Sequence, residues 1–365
     1  MSDLNEVLDK NFNNNTERKD TAYVKCSSCG ANMIFDPITQ ALKCDHCGAI
    51  EDFSKSKNVK ELDIIDSLKE RETWDKESSV YRCNNCGAVV VLNPNESAKK
   101  CPYCSTSHIV KSEELAGLKP NAVYPFTITC DDGILKAKTW AKKRLFAPKA
   151  FKKSLLAENM HGVYEPCFTF DSYTYSTYVG RIGKKHTRTI GSGKNRRTET
   201  YIIWRSISGT YVYNFDDVMV NATSSYEQVD LDKLKPFNYD TINVYEQKFL
   251  TGYMAHRHEK SVNDSWEEAK DMMDATLKRK ILSQYVYDVV DYINISTTHE
   301  KVTYKYVLLP IYNLIFNYRK KSYNVFVNGN TGKVTGKTPV SALKVMALVF
   351  GIIAILALIY LLFNL

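Results

Sequence analysis

The chain has 365 residues, of which 44% are hydrophobic and 25% charged, with a formal net charge of +8. This composition excludes a chain disordered throughout and leaves room for two or three domains. The positive balance favours an anionic partner, phospholipid headgroups or nucleic acid, without choosing between them.

Residues 1–22 are rich in Asn and charge and hold no apolar run, so they read as disordered and not as a signal peptide. Eight of the ten cysteines then fall into four Cys-x-x-Cys pairs. Cys26 and Cys29 are followed after fourteen residues by Cys44 and Cys47; Cys83 and Cys86 are followed after fourteen by Cys101 and Cys104. A shift of 57 maps one set onto the other, so the unit is an internal repeat. Four thiolates from two tight turns close a tetrahedral shell around Zn²⁺ and leave no position open for a substrate. The spacing predicts two zinc ribbons, over residues 23–52 and 80–111, each with one Zn²⁺; a mononuclear iron site is the alternative. Gly30, Gly48 and Gly87 follow three of the pairs, where a knuckle turn needs permissive backbone angles. Lys25, Lys43, Arg82 and Lys100 each precede a pair and favour the thiolate form. Ribbons this small are folded by their metal. Thiols reserved for metal, without a signal peptide, point to the cytoplasm.

Within the linker 53–79, residues 58–73 set Leu62, Ile65 and Leu68 at helical spacing and predict a short amphipathic helix. From residue 112 to 340 aromatic residues become dense and strand-like alternation appears. The order of strands and helices predicts an α+β domain on antiparallel sheet. Residues 134–146 place Ile134, Ala137, Ala141 and Leu145 on one helical face. Eight Lys or Arg and no acid lie between Lys136 and Lys153. Of these, Lys136, Lys138, Lys142, Lys143 and Arg144 form either a solvated face or a contact for anionic lipid.

Residues 167–179 and 200–213 read as long strands. The segment between them carries Arg181, Lys184, Lys185, Arg188, Lys194, Arg196 and Arg197. It predicts a flexible basic hairpin arm, either an ordinary solvated loop or a phosphate- or lipid-binding one. Residues 265–287 form a helix opening on Ser265 and Glu268 in capping-box spacing. Residues 301–318 and 322–328 are strands joined by a turn at 319–321, and Asn328-Gly329 with Thr331-Gly332 marks the next turn. Residues 345–363 hold no charge over nineteen positions and predict a single transmembrane helix. Lys333, Lys337 and Lys344 precede it, so a tail-anchored protein with its bulk in the cytoplasm is expected.

No catalytic motif is found. Gly336-Lys337-Thr338 resembles the end of a P-loop, but the glycine required five residues earlier is Thr331, and Pro339 stands where a helix should begin. His256 and His258 lack a third ligand and read as surface residues. Asp131-Asp132 and Asp216-Asp217 lie in expected turns with nothing beside them to assign a role; Cys130 and Cys167 read as buried thiols. A non-enzymatic protein without a small-molecule substrate is expected. The competing readings are an adaptor that recruits protein partners at the membrane and a membrane-tethered nucleic-acid-binding protein.

The paired ribbons are followed by Tyr124-Pro125-Phe126, Phe146-Ala147-Pro148 and Gly162-Val163-Tyr164-Glu165-Pro166. Leu250-Thr251-Gly252-Tyr253, Leu308-Leu309-Pro310 and Asn328-Gly329-Asn330-Thr331-Gly332-Lys333 come next. This order resembles the bacterial TFIIB-type zinc-ribbon membrane proteins, often labelled primosomal protein N′ or replication-restart helicase-like. The resemblance runs from about residue 24 to Pro339. The helicase label implies ATP-driven DNA unwinding, for which the chain holds no motor motif. Relatives linked to phage-shock-type envelope stress imply instead a tethered adaptor that recruits partners.

Overall fold

A computed structural model describes residues 24–65, 79–83, 89–92, 109–112, 118–153, 155, 160–191, 193, 196–318 and 321–364. Strands β1 (Met33–Asp36), β2 (Ala41–Cys44) and β3 (Ile50–Glu51) make a small antiparallel sheet around the first cysteine set. The next segment carries β4 (Leu62–Asp63), which pairs with Thr303 and Tyr304. The helix expected over 58–73 is therefore not formed in its described part: cross-strand pairing overrides the helical spacing of Leu62 and Ile65. Strands β5 (Ser79–Cys83), β6 (Val89–Leu92) and β7 (Ile109–Ser112) pair with one another in the order β6-β5-β7.

The body follows with β8 (Ala122–Val123), α1 (Cys130–Lys142) and α2 (Lys149–Lys153). Then come β9 (Met160–Ile190), β10 (Arg197–Asn221), α3 (Gln228–Leu234), β11 (Asn243–Val244) and β12 (Met254–His256). Helix α4 (Val262–Leu282), β13 (Val289–Tyr318), β14 (Lys321–Asn328), β15 (Val334–Gly336) and α5 (Ala342–Asn364) complete it. Helices and antiparallel strands together make the fold α+β.

Three very long strands form the frame. β9 lies in the middle, with β10 antiparallel on one side and β13 antiparallel on the other. At the usual rise per residue β9 runs about 100 Å. Its burial changes along its length in a way that reports what covers it. Val163 through Phe170 are all buried, because both faces are packed at this end. Tyr304, Tyr306, Leu308, Tyr312 and Leu314 of β13 join Phe168, Phe170 and Phe126 on one face. Val307, Leu309 and Ile311 join Tyr124, Met219, Leu231, Leu234 and Phe237 on the other. From Ser172 to Ile182 the pattern becomes strict alternation, since one face is now covered by α4 and, among the described residues, the other is open. Beyond Gly183, where β13 begins, residues 184–190 pair only with 197–203, and nearly all their side chains are exposed. The basic arm is thus a hairpin, as expected, but one built by the continuation of two paired strands.

Helix α4 places Ser265, Ala269, Met273, Leu277 and Ile281 in one buried row at i, i+4 spacing. Its cap is Ser261, whose side chain accepts from the Asp264 backbone, one turn before the expected start. α1 likewise starts early, in a capping box made by Thr129 and Asp132. Ile134, Ala137 and Ala141 are buried as expected, but Leu145 lies past the helix end and is 75% exposed.

Two bulges interrupt the frame at the same level. Asp217 in β10 and Lys301 in β13 take left-handed backbone angles where the register slips, on either side of Asp171 in β9. The bulges gather Lys305 with Asp217 (2.8 Å), Glu61 (3.0 Å) and Asp171 (3.6 Å). Burial opposes the Lys305 charge, but the hydrogen bond and charge of Asp217 win and hold its pKa above the ordinary lysine value. Burial pushes Asp171 up to about 7, against the hydrogen bond from the Asp217 backbone N–H.

Helix α5 is long and apolar enough to cross a membrane, and its 342–363 stretch is not buried against the rest of the chain.

Candidate metal centre

Each Cys-x-x-Cys pair of the first set forms the same turn. The Gly30 N–H donates to the Cys26 carbonyl and the Cys26 N–H to the Ala31 carbonyl; Gly48, Cys44 and Ala49 repeat the pattern at 2.9 Å. Both glycines sit at left-handed φ, 71° and 75°, with open space where a Cβ would stand. A side chain would fit there; the backbone angle is what selects glycine. Glu51 on β3 braces the first knuckle by accepting from the Ser27 N–H and hydroxyl.

These turns bring four sulfurs together. Cys26 and Cys47 Sγ lie 3.5 Å apart, as do Cys29 and Cys44 Sγ, and all four are within 4.8 Å of one another. A tetrahedral shell of thiolates at Zn–S of about 2.3 Å has sulfur–sulfur edges of about 3.8 Å, so the donor set fits such an ion. Hydrogen bonds from backbone N–H groups, that of Cys47 foremost, pull the Cys44 thiol down to about 6 against the effect of burial. The Ser28 N–H leads the same effect at Cys26. Cys29 is raised: the Ala31 N–H and the Cys47 sulfur favour its thiolate, but burial and the Cys44 and Cys26 sulfurs outweigh them. A metal ion held there would have four protein ligands and no open position.

The sheet below the knuckles is packed into the body. Phe35 and Phe53 meet Phe249 edge-on at 5.3 and 5.1 Å, all three buried. The Phe35 N–H donates to the Thr251 carbonyl, and Gln40 donates to the carbonyls of Pro37 and Phe126. Ser27, Ser28, Cys29, Asp45, His46 and Cys47 remain exposed at the tips.

Of the second set, Cys83 ends β5, while Cys86, Cys101 and Cys104 lie outside the described residues. β6 pairs with β12, which pairs in parallel with β9, so this region is joined by backbone to the main sheet. The basic residues separate into two groups. Lys136, Lys138, Lys142, Lys143 and Arg144 are exposed on α1 and its end, near the Met160 end of β9, where Gly133 meets Met160. Lys184, Lys185, Arg188, Arg196 and Arg197 stand at the other end of β9, on the order of 80 Å away along the strand. Arg181 pairs with Asp291 and lies over Trp204; Arg188 is held by Glu199. Lys194 lies outside the described residues.

His256 is a correction. It is fully buried, its Nδ1 within 3.1 Å of Glu165, 3.0 Å of the Ser225 hydroxyl and 3.3 Å of the Thr223 hydroxyl. It stitches β12 to β9 and to the turn after β10. Its partner Glu165 is 91 positions away, so no local pattern signals it.

The chain is similar to the uncharacterized protein YdjG of Bacillus subtilis strain 168, with 28% identity over 335 residues, covering 90% of this chain and 93% of that protein. No protein-family model matches the chain. No solved structure matches it.

Proposed function

We propose that the chain is a membrane-anchored adaptor whose zinc ribbons recruit protein partners at the cytoplasmic face of a membrane, in an envelope-stress setting as the family resemblance implies. The observation that carries this reading is the four-sulfur cluster of Cys26, Cys29, Cys44 and Cys47, a closed shell docked by Phe35 and Phe53 onto the body. Such a centre holds a surface in shape and performs no chemistry on a substrate. The second ribbon, inferred from the repeat in sequence, doubles that surface. α5 supplies the anchor, with Lys333, Lys337 and Lys344 before it setting the orientation. Protein partners are favoured over nucleic acid because the knuckle tips carry one net negative residue, Asp45, and no Lys or Arg. Among the described residues β10 also pairs only with β9, so its outer edge offers backbone groups to which a partner segment can add a strand.

The test is photo-crosslinking from Ser28 and His46 in cells. Protein adducts that disappear in Cys44→Ser/Cys47→Ser support the adaptor. Adducts unaffected by loss of the ligands, or adducts to nucleic acid alone, contradict it. One observation favours the second reading, a tethered nucleic-acid-binding protein: exposed Lys184, Lys185 and Arg197 flank Tyr201 stacked on His186 at the strand tip. Filter binding decides it. A steep salt slope abolished by neutralising the Lys and Arg of 184–197 would establish that reading in place of the first.

A further inference from the structure

Helix α5 is latched to the body at its first turn. The Ser341 N–H donates to the Phe146 carbonyl at 2.8 Å. Lys344 Nζ donates to the Leu145 carbonyl at 3.2 Å and to the Ala147 carbonyl at 2.6 Å. These bonds hold the turn between α1 and α2 against the beginning of the apolar helix. If α5 enters a bilayer, this turn stands at headgroup depth.

The side chains presented there suit that depth. Leu145 is 75% exposed, Leu343 76%, Val340 62% and Phe146 38%, a group of apolar tips around one helix end. Lys142, Lys143, Arg144, Lys149 and Lys153 surround them, all exposed. Among the described residues, none of these five forms an ion pair with a carboxylate, whereas Arg181 and Arg188 on the distant arm do. The orientation is set by packing: Ile134, Ala137, Ala141 and Phe151 are buried toward the body. Apolar tips ringed by cations are the composition of an interfacial lipid-binding surface. Nucleic acid would use the cations and leave Leu145 and Leu343 in water.

We propose that the α1–α2 turn and its five cations form a docking surface for an anionic bilayer, with Leu145 and Phe146 among the headgroups. The surface fixes the angle at which the body stands on the membrane. This rests on reading α5 as the anchor.

The experiment uses the full chain in lipid nanodiscs of phosphatidylcholine alone or with phosphatidylglycerol, followed by amide hydrogen exchange. Exchange across residues 143–153 is expected to slow roughly tenfold in the anionic discs. The difference is expected to vanish in Lys142→Glu/Lys143→Glu/Arg144→Glu and to shrink in Leu145→Ser, while exchange in α4 and β9 stays unchanged and shows the variants folded. Equal exchange in both discs overturns the proposal, as does protection that survives charge reversal. So does protection of the same amides by duplex DNA in discs of phosphatidylcholine alone. Co-elution of chain and disc reads the anchor separately. A retained chain without lipid-dependent protection defeats only this surface; a chain that is not retained defeats the anchor and the surface with it.

Discussion

Phe249 sits where the metal site meets the body, between Phe35 and Phe53. Its replacement by Ala empties a fully buried site and is expected to cost about 3–5 kcal/mol. Denaturant unfolding measures the loss, with the metal content of the folded protein unchanged; unaltered stability would mean that the ribbon is not energetically joined to the body. Asp171 carries a pH effect. Its folded pKa, near 7, lies above the ordinary carboxylate value, so the folded state binds its proton more tightly than the unfolded chain. The penalty is absent below about pH 4, grows as pH rises through the interval and is complete above about 7; the shift alone corresponds to about 4 kcal/mol, and solvent screening of the partly exposed carboxyl brings it to the order of 2 kcal/mol. Asp171→Asn should flatten the fall in stability between pH 5 and about 8, read by melting curves across that range; an unchanged slope would remove Asp171 as its cause. The clustering of the first four cysteines was legible because a four-sulfur site demands a local spacing. Phe249, Lys305 and Glu165 were not, since each acquires its partner through register over long separations in sequence, and in the case of Lys305 through two bulges.

At the level of elements, type was more legible than extent. Helices α1 and α4 each begin about one turn before the expected start, because short polar caps and not the apolar row set their first residue. Thr129 with Asp132 and Ser261 with Asp264 are short polar pairs that satisfy the first backbone N–H groups. Ser261→Ala is expected to cost about 1 kcal/mol, seen as a lower denaturant midpoint and faster exchange in the first turn of α4. No change in either would show that the cap is dispensable. The expected strand 167–179 stops at Gly180, which resembles a loop residue, whereas β9 runs on to Ile190; the expected strand 301–318 likewise misses the first part of β13, which begins at Val289. In the structure a Cβ on Gly183 would stand 2.5 Å from Ile202 and 2.9 Å from Trp204, which cross the strand over the space it leaves. An exposed pair of strands has no apolar alternation to announce it, so the polar segment marks a hairpin arm without fixing how far its strands run.

The described residues form a frame about 100 Å long that, among those residues, is packed on both faces at one end, on one face in the middle and on neither at the tip. The packed end carries the cysteine cluster and the latch to α5, so the candidate metal centre and the candidate anchor lie at the same end of the frame while the arm reaches away from it. That arrangement depends on the cysteine cluster holding a metal through four thiolates, and metal content of the full chain extracted in detergent tests it most directly. Two zinc ions per chain are predicted, one for each ribbon, falling to one in Cys44→Ser/Cys47→Ser. Cobalt substitution should give the intense absorption of a tetrahedral four-thiolate site. Less than one metal ion per chain, or a cobalt spectrum typical of octahedral oxygen ligands, would contradict the account.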